Sequence, residues 1–166
     1  MTTQTQTTSV STAVEVQAPI EHAFRVFTEG IGSWWDPGHH ILQAGLAEMV
    51  FEPRVGGHII DRGTDGSECR WARVLAYEPP HRVCFSWDIN LSWQLEADPA
   101  KTSEVEVTFT ADGPARTQVL LTHRHLDRHG EGWEGIAAAV ADPGGWELGL
   151  ARFAHRLEGA PVGEQG

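Results

Sequence analysis

From Arg54 to Asp88 the chain is punctuated at short intervals: Arg54-Val-Gly-Gly-His, then Asp65-Gly, then Glu78-Pro-Pro, with β-rich runs between and a strand ending in Phe85-Ser-Trp-Asp. Paired glycines, an Asp-Gly turn and a Glu-Pro-Pro corner between such runs are how a chain writes several antiparallel strands in succession. This stretch predicts a meandering sheet and reads as a scaffold, not as a catalytic loop. Gly56 and Gly57 permit a tight turn or bulge between strands.

Strands are predicted over residues 9–16, 46–51, 57–62, 69–77, 82–88, 104–110 and 117–125, with Asp112-Gly-Pro turning the last two against each other. Val83, Phe85 and Trp87 share one face, and Val105, Val107 and Phe109 share one face of the next strand. One side of the sheet is therefore apolar and needs a cover. The C-terminus supplies it: Asp142 suits an N-cap, Pro143 a first helical residue, and Trp146, Leu150, Phe153 and Leu157 recur at helical steps before Gly159 stops the helix. Gly149 inside that helix costs roughly 1 kcal/mol relative to alanine, which predicts close approach by another group. Pro19 opens a short helix that buries Phe24 and Phe27 before Gly30, and residues 31–37 form a broken turn carrying Trp34 and Trp35. A shorter helix over residues 131–140 carries Trp133, Ile136 and Val140.

The 166 residues suit one domain, enough to bury ~70% of the surface exposed when unfolded. It is placed at residues 9–159, between a flexible N-terminal tail, 1–8, and a C-terminal tail, 160–166. No apolar run approaches the ~18 residues needed to cross a bilayer, which argues against a membrane protein. The start has neither the basic nor the apolar region of a secretory signal, so the expected location is cytoplasmic. A net charge of −11, with its cations scattered, argues against nucleic acid as a partner. Cys69 and Cys84 are not expected opposite each other on their strands, nor do they have zinc-site spacing, so neither a disulfide nor a metal is expected.

The motifs Ala23-Phe-Arg-Val-Phe-Thr, Arg54-Val-Gly-Gly-His, Trp71-Ala-Arg-Val-Leu-Ala-Tyr-Glu-Pro-Pro, Phe85-Ser-Trp, Val119-Leu-Leu-Thr-His and Gly132-Trp, followed by the closing amphipathic helix, extend from about Val14 to Leu157. In this order they resemble the helix-grip fold, also called START-like or SRPBCC, and within it the branch named after the C-terminal domain of the heat-shock-protein-90 ATPase activator. The resemblance implies an α+β fold: a curved antiparallel sheet of about six to seven strands wrapped on a long C-terminal helix, with two short helices after the first strand. It does not select an activity, because lipid carriers, aromatase/cyclases and hormone receptors share the architecture. The eukaryotic activator owes much of its chaperone contact to an additional N-terminal domain, which the residues before Ser9 are not expected to supply.

The leading expectation is a binding protein for a small apolar or aromatic molecule, held between sheet and helix by Trp34, Phe85, Trp87, Val107, Leu121, His123, Trp146, Leu150 and Phe153. The seven tryptophans favour such a site; Trp35, Trp93 and Trp133 also belong to elements around it, while the face taken by Trp71 depends on strand register. Arg73 or a histidine would orient a polar group. One alternative is an aromatase/cyclase-type enzyme using His123 or His125 as proton-transfer group; another is a chaperone-activating stress-response protein acting through its outer surface. No catalytic residue is assigned and no cofactor is expected, there being no nucleophile elbow, P-loop or dinucleotide fingerprint. His123 and His125 at a two-residue strand spacing, with His129 nearby, suit either a metal pair or one cavity or core histidine beside exposed ones. Glu48, Glu52, Asp61, Asp65 and Glu68 read as a solvated face. A homodimer would cover an exposed edge strand near the N-terminus.

Overall fold

The computed structural model describes residues 8–36, 40–42 and 44–164, with side chains described up to residue 158. The expected N-terminal tail thus falls largely outside the described residues. Strand β1 (Val10–Val16) leads into helix α1 (Ile20–Thr28) and a single 3-10 turn, Ile31–Ser33. Six strands follow: β2 (Leu46–Phe51), β3 (His58–Gly63), β4 (Glu68–Glu78), β5 (Arg82–Trp87), β6 (Ser103–Ala111) and β7 (Thr117–Arg124). Helices α2 (Trp133–Ala141) and α3 (Trp146–Glu164) close the chain. All strand pairs are antiparallel, in the order β1-β7-β6-β5-β4-β3-β2. The α+β helix-grip architecture read from the motifs is the architecture found.

The inner face of the sheet is built by alternation. Val83, Phe85, Trp87, Val105, Val107, Phe109, Val119, Leu121 and His123 are all buried, and Phe24, Phe27, Leu150, Phe153 and Leu157 pack down on them from α1 and α3. On the outer face, Arg124 bridges Glu104 and Glu106, while Arg82 pairs with Glu106 and Glu78. Strand β4 carries the irregularities: Ile59 pairs with Ala72 and Ile60 with Arg70, so Trp71 is an extra residue in the ladder. That bulge turns Trp71 and Ala72 both into the interior and bends the strand. The turn before β3 depends on its glycines, since Gly56 has φ +89 and a Cβ on Gly57 would lie 2.7 Å from Glu52 Cβ.

Helix α3 differs from its predicted bounds at both ends. Asp142 ends α2 instead of opening α3: its backbone N–H reaches Ala138 O, and its side chain accepts from Gly144 N at 2.9 Å. The two helices meet so tightly there that a Cβ on Gly145 would lie 2.4 Å from Val140 O, which forces a turn over residues 143–145 before Trp146. At the other end Gly159 does not stop the helix, which reaches Glu164; one glycine in a long helix is a tolerable cost.

Candidate functional site

At one end of the groove between sheet and α3 lies a cavity of about 360 Å³, predominantly apolar in lining. Its walls come from the segment after α1 (Trp34, Trp35, Asp36, His40), from β3 and β4 (Asp61, Trp71), from β5 and the hairpin after it (Trp87, Ile89, Trp93), and from α2 and α3. Four indoles form a closed ring: Trp35 to Trp71 at 5.4 Å between centroids, Trp71 to Trp87 at 5.5 Å, Trp87 to Trp146 at 5.7 Å, and Trp146 back to Trp35 at 5.8 Å. The rings are tilted or edge-on to one another, the arrangement their quadrupoles prefer. Small residues of the helical wall, Gly144, Gly145 and Gly149, leave the opposite side open.

Asp61 is the buried carboxyl of this cavity, only 2% exposed. Its Oδ1 accepts the indole N–H of Trp71 at 3.0 Å. Burial pushes its pKa up from 3.8 to about 6, against smaller opposing effects of the Trp71 hydrogen bond and the charge of His40. His40 lines the same cavity, and its Nδ1 accepts the backbone N–H of Leu42 at 3.1 Å, which leaves Nε2–H as the ring's free donor. A carboxyl poised near neutrality in an aromatic chamber, facing an imidazole, is suited to moving protons on a bound organic molecule.

Behind the wall runs a second polar system. Trp146 Nε1 donates to His123 Nδ1 at 3.1 Å, and Ser103 Oγ lies 2.7 Å from Nε2 of both His123 and His129. An indole N–H can only donate, so neutral His123 carries its proton on Nε2 and gives it to Ser103; the serine hydroxyl then donates to His129. The proton left on His129 Nδ1 has no partner among the described residues, nor has Trp87 Nε1. Burial drives the His123 pKa down from 6.5 to about 3, and His129 acts in the same direction. This chain fixes the Trp146 indole as a cavity wall and holds His123 neutral.

Of the residues expected to line a ligand site, Trp34, Trp87 and Trp146 stand on the cavity wall, together with Trp35, Trp71 and Trp93. Phe85, Val107, Leu121, Leu150 and Phe153 lie in the packed core beneath, because the chamber occupies only one end of the groove. His123 sits behind Trp87 and Trp146, at ring distances of 5.2 and 6.0 Å, and does not line the cavity. His125 is not on the strand with it: β7 ends at Arg124 and His125 takes a left-handed conformation, φ 61. No group of three or more His, Cys, Asp or Glu suited to a metal occurs among the described residues. Arg73 is engaged elsewhere, in a two-point ion pair with Asp88 (both 3.0 Å) and a bond to Thr102. Asp61 is the departure from the solvated face expected of the carboxylates; Glu48 and Glu68 do lie outward, paired with Arg62. His40 carries no sequence signal of its own.

Sheet, long helix and aromatic chamber together define a helix-grip protein. Residues 17–158 match the family described as Activator of Hsp90 ATPase homolog 1-like protein, and the chain belongs to that family. No curated protein matches it. Among solved structures it is similar to Txn09, described as an anthrahydroquino-γ-pyrone synthase complexed with SUM: 40% identity over 88% of this chain and 94% of that one, TM-score 0.63. It is also similar in fold to protein NE0264 from Nitrosomonas europaea (12% identity, 93% and 96% covered, TM-score 0.65) and to CalC, a self-sacrificing resistance protein from Micromonospora echinospora (24% identity, 90% and 94% covered, TM-score 0.61). None of the helices is long and apolar enough to cross a membrane, among the described residues.

Proposed function

We propose that this protein binds a planar polycyclic aromatic molecule in the indole-lined cavity and closes an oxygen heterocycle on it, with Asp61 as the proton-transfer group. The observation that carries the reading is Asp61 itself, a buried carboxyl with its pKa pushed up to about 6 inside an aromatic chamber. The 40% identity to a γ-pyrone synthase supports the substrate class. Burial of ligand rings against Trp35, Trp71, Trp87 and Trp146 supplies affinity, so the small-molecule binding expected from the sequence is the first half of the function.

The chemistry balances without a redox partner. In a polycyclic phenol bearing an ortho 1,3-dicarbonyl side chain, the phenol oxygen attacks the distal carbonyl carbon, forming a C–O bond and a cyclic hemiketal. Loss of the hemiketal hydroxyl with the adjacent C–H proton then gives the pyrone and one molecule of water. The Asp61 carboxylate takes the phenol proton and passes it to the carbonyl oxygen, which becomes the hemiketal hydroxyl; it then takes the adjacent C–H proton and delivers it to that hydroxyl, which leaves as water. Trp71 holds Asp61 in place through Oδ1, leaving Oδ2 for the substrate. His40 is positioned to polarise the carbonyl through Nε2–H.

The test is incubation with a hydroxyanthraquinone carrying a 1,3-diketone side chain, followed by chromatography and mass spectrometry for the dehydrated product. Ring closure well above the heat-inactivated control, abolished in D61N, is the expected result. Tight binding without turnover would leave a carrier of such molecules; no binding would return attention to the chaperone-activating alternative.

A further inference from the structure

The hairpin after β5 contains a conformation that its side chain disfavours. Ile89 bridges Leu95, Glu96 N donates to Asp88 O, and Asn90 N donates to Gln94 O at 2.7 Å. Within the three-residue loop, Trp93 N donates back to Asn90 O at 2.9 Å, and Trp93 has φ 58. This is a turn followed by a left-handed residue, a position that glycine fills by default. Positive φ is uncommon for any other residue and an outlier for a bulky one. The side-chain oxygen of Asn90 holds the loop in shape by accepting from Ser92 N and Gln94 N, at 2.8 and 3.0 Å.

The indole so displayed is 47% exposed, yet it forms part of the cavity wall. A large apolar side chain that is both strained and half in water does little for the fold. Strain of this kind persists where a site requires it.

We infer that Trp93 is the outer jaw of an aromatic clamp: it stacks on a planar ligand seated against the inner indoles and selects for extended flat molecules. The inference rests on the ligand class proposed above. It implies an exchange between stability and binding at one residue. Glycine at position 93 relieves the backbone and removes the jaw; phenylalanine keeps a ring and keeps the strain.

Alizarin, a dihydroxyanthraquinone, serves as probe in calorimetric titrations of wild type, W93G and W93F, with thermal melts of the same proteins without probe. The expected results are a melting temperature for W93G higher by roughly 2–4 °C, a roughly tenfold weaker Kd for W93G, and a Kd for W93F within about threefold of wild type. A W93G protein that melts no higher than wild type overturns the strained-jaw inference. So does one that binds alizarin as tightly as wild type, and this outcome leaves the aromatic-ligand reading standing. Failure of wild type to bind alizarin, with W93G melting higher, strikes the ligand reading and the clamp together.

Discussion

Replacing Asp61 by asparagine tests the central residue of the site through the fold itself, without knowledge of the substrate. Asp61 has its pKa raised from 3.8 to about 6 by burial. The folded protein therefore holds this proton more tightly than the unfolded chain does. Its contribution to stability is full below the unfolded value and is lost as pH rises through about 6. At about 1.4 kcal/mol per pH unit, the ionised carboxylate costs the fold about 3 kcal/mol at neutral pH. Asparagine has nearly the same shape, retains an oxygen to accept the Trp71 N–H, and does not ionise. Urea denaturation of both proteins, followed by far-ultraviolet circular dichroism between about pH 4 and about pH 8, gives two stability curves. The D61N curve minus the wild-type curve should climb by about 2.5 kcal/mol across that range, the unfolded carboxyl being already partly ionised at its lower end, equivalent to roughly 5–10 °C in Tm. His123 has the opposite dependence: with its pKa lowered to about 3, its contribution is full above the unfolded value of 6.5 and falls away as pH drops. It is present in both proteins and cancels in the difference. A badly placed amide N–H in the variant shifts the difference by a constant, so the slope is the test. A flat difference curve would show that Asp61 is not held in a desolvated site, and the proton-transfer role would fall with it.

Three further outcomes follow from the same geometry. Turnover in the ring-closing assay should rise with pH through about 6, as Asp61 becomes the base; a rate indifferent to pH over that span would point to another group. S103A should lose roughly 1–3 kcal/mol for each histidine nitrogen left unsatisfied, read as a shift in urea midpoint; a variant as stable as wild type would mean that the Ser103 bonds contribute nothing. At Gly149 the nearest neighbours of an added Cβ are Trp146 and Trp34, both at the ordinary contact distance of 3.8 Å, so the glycine spares room in the cavity instead of admitting a tight helix crossing. G149A should raise stability by up to ~1 kcal/mol and G149L should fold but block ligand binding; a destabilised G149A would refute this.

What was legible in the sequence is what alternation and turn chemistry determine. Val83, Phe85 and Trp87 announce their face because the residues between them are polar or small, and the turn residues between Arg54 and Asp88 delimit strands that are present. Trp71 could not be assigned from spacing, because a bulge in β4 resets the alternation at that residue. Asp142 and Pro143 suit a helix N-terminus, yet α3 starts only at Trp146, because the closeness of Gly145 to Val140 is a tertiary fact. His123 stands out by its spacing to His125, yet β7 ends at Arg124, His125 is itself left-handed, and the partners of His123 are Ser103 and Trp146.

Asp61 was hidden for a different reason. In His58-Ile-Ile-Asp-Arg the two adjacent isoleucines leave the inward face ambiguous, and a carboxylate near a strand end ordinarily settles the matter in favour of solvent. Here both isoleucines are buried, and Ile59 shares its face with Asp61. The fold gains nothing in stability from an ionised carboxyl there, nor from a tryptophan at a hairpin position made for glycine. Departures from local preference that cost stability mark places where something other than stability is being maintained. One lies on β3 and the other in the loop after β5; they arise from unrelated physics and face the same cavity. One concerns the protonation of a floor residue and the other the backbone of a rim residue, so a repacking that explained either would leave the other unexplained. A ligand that needs both a proton-transfer group beneath it and an aromatic surface above it accounts for the pair.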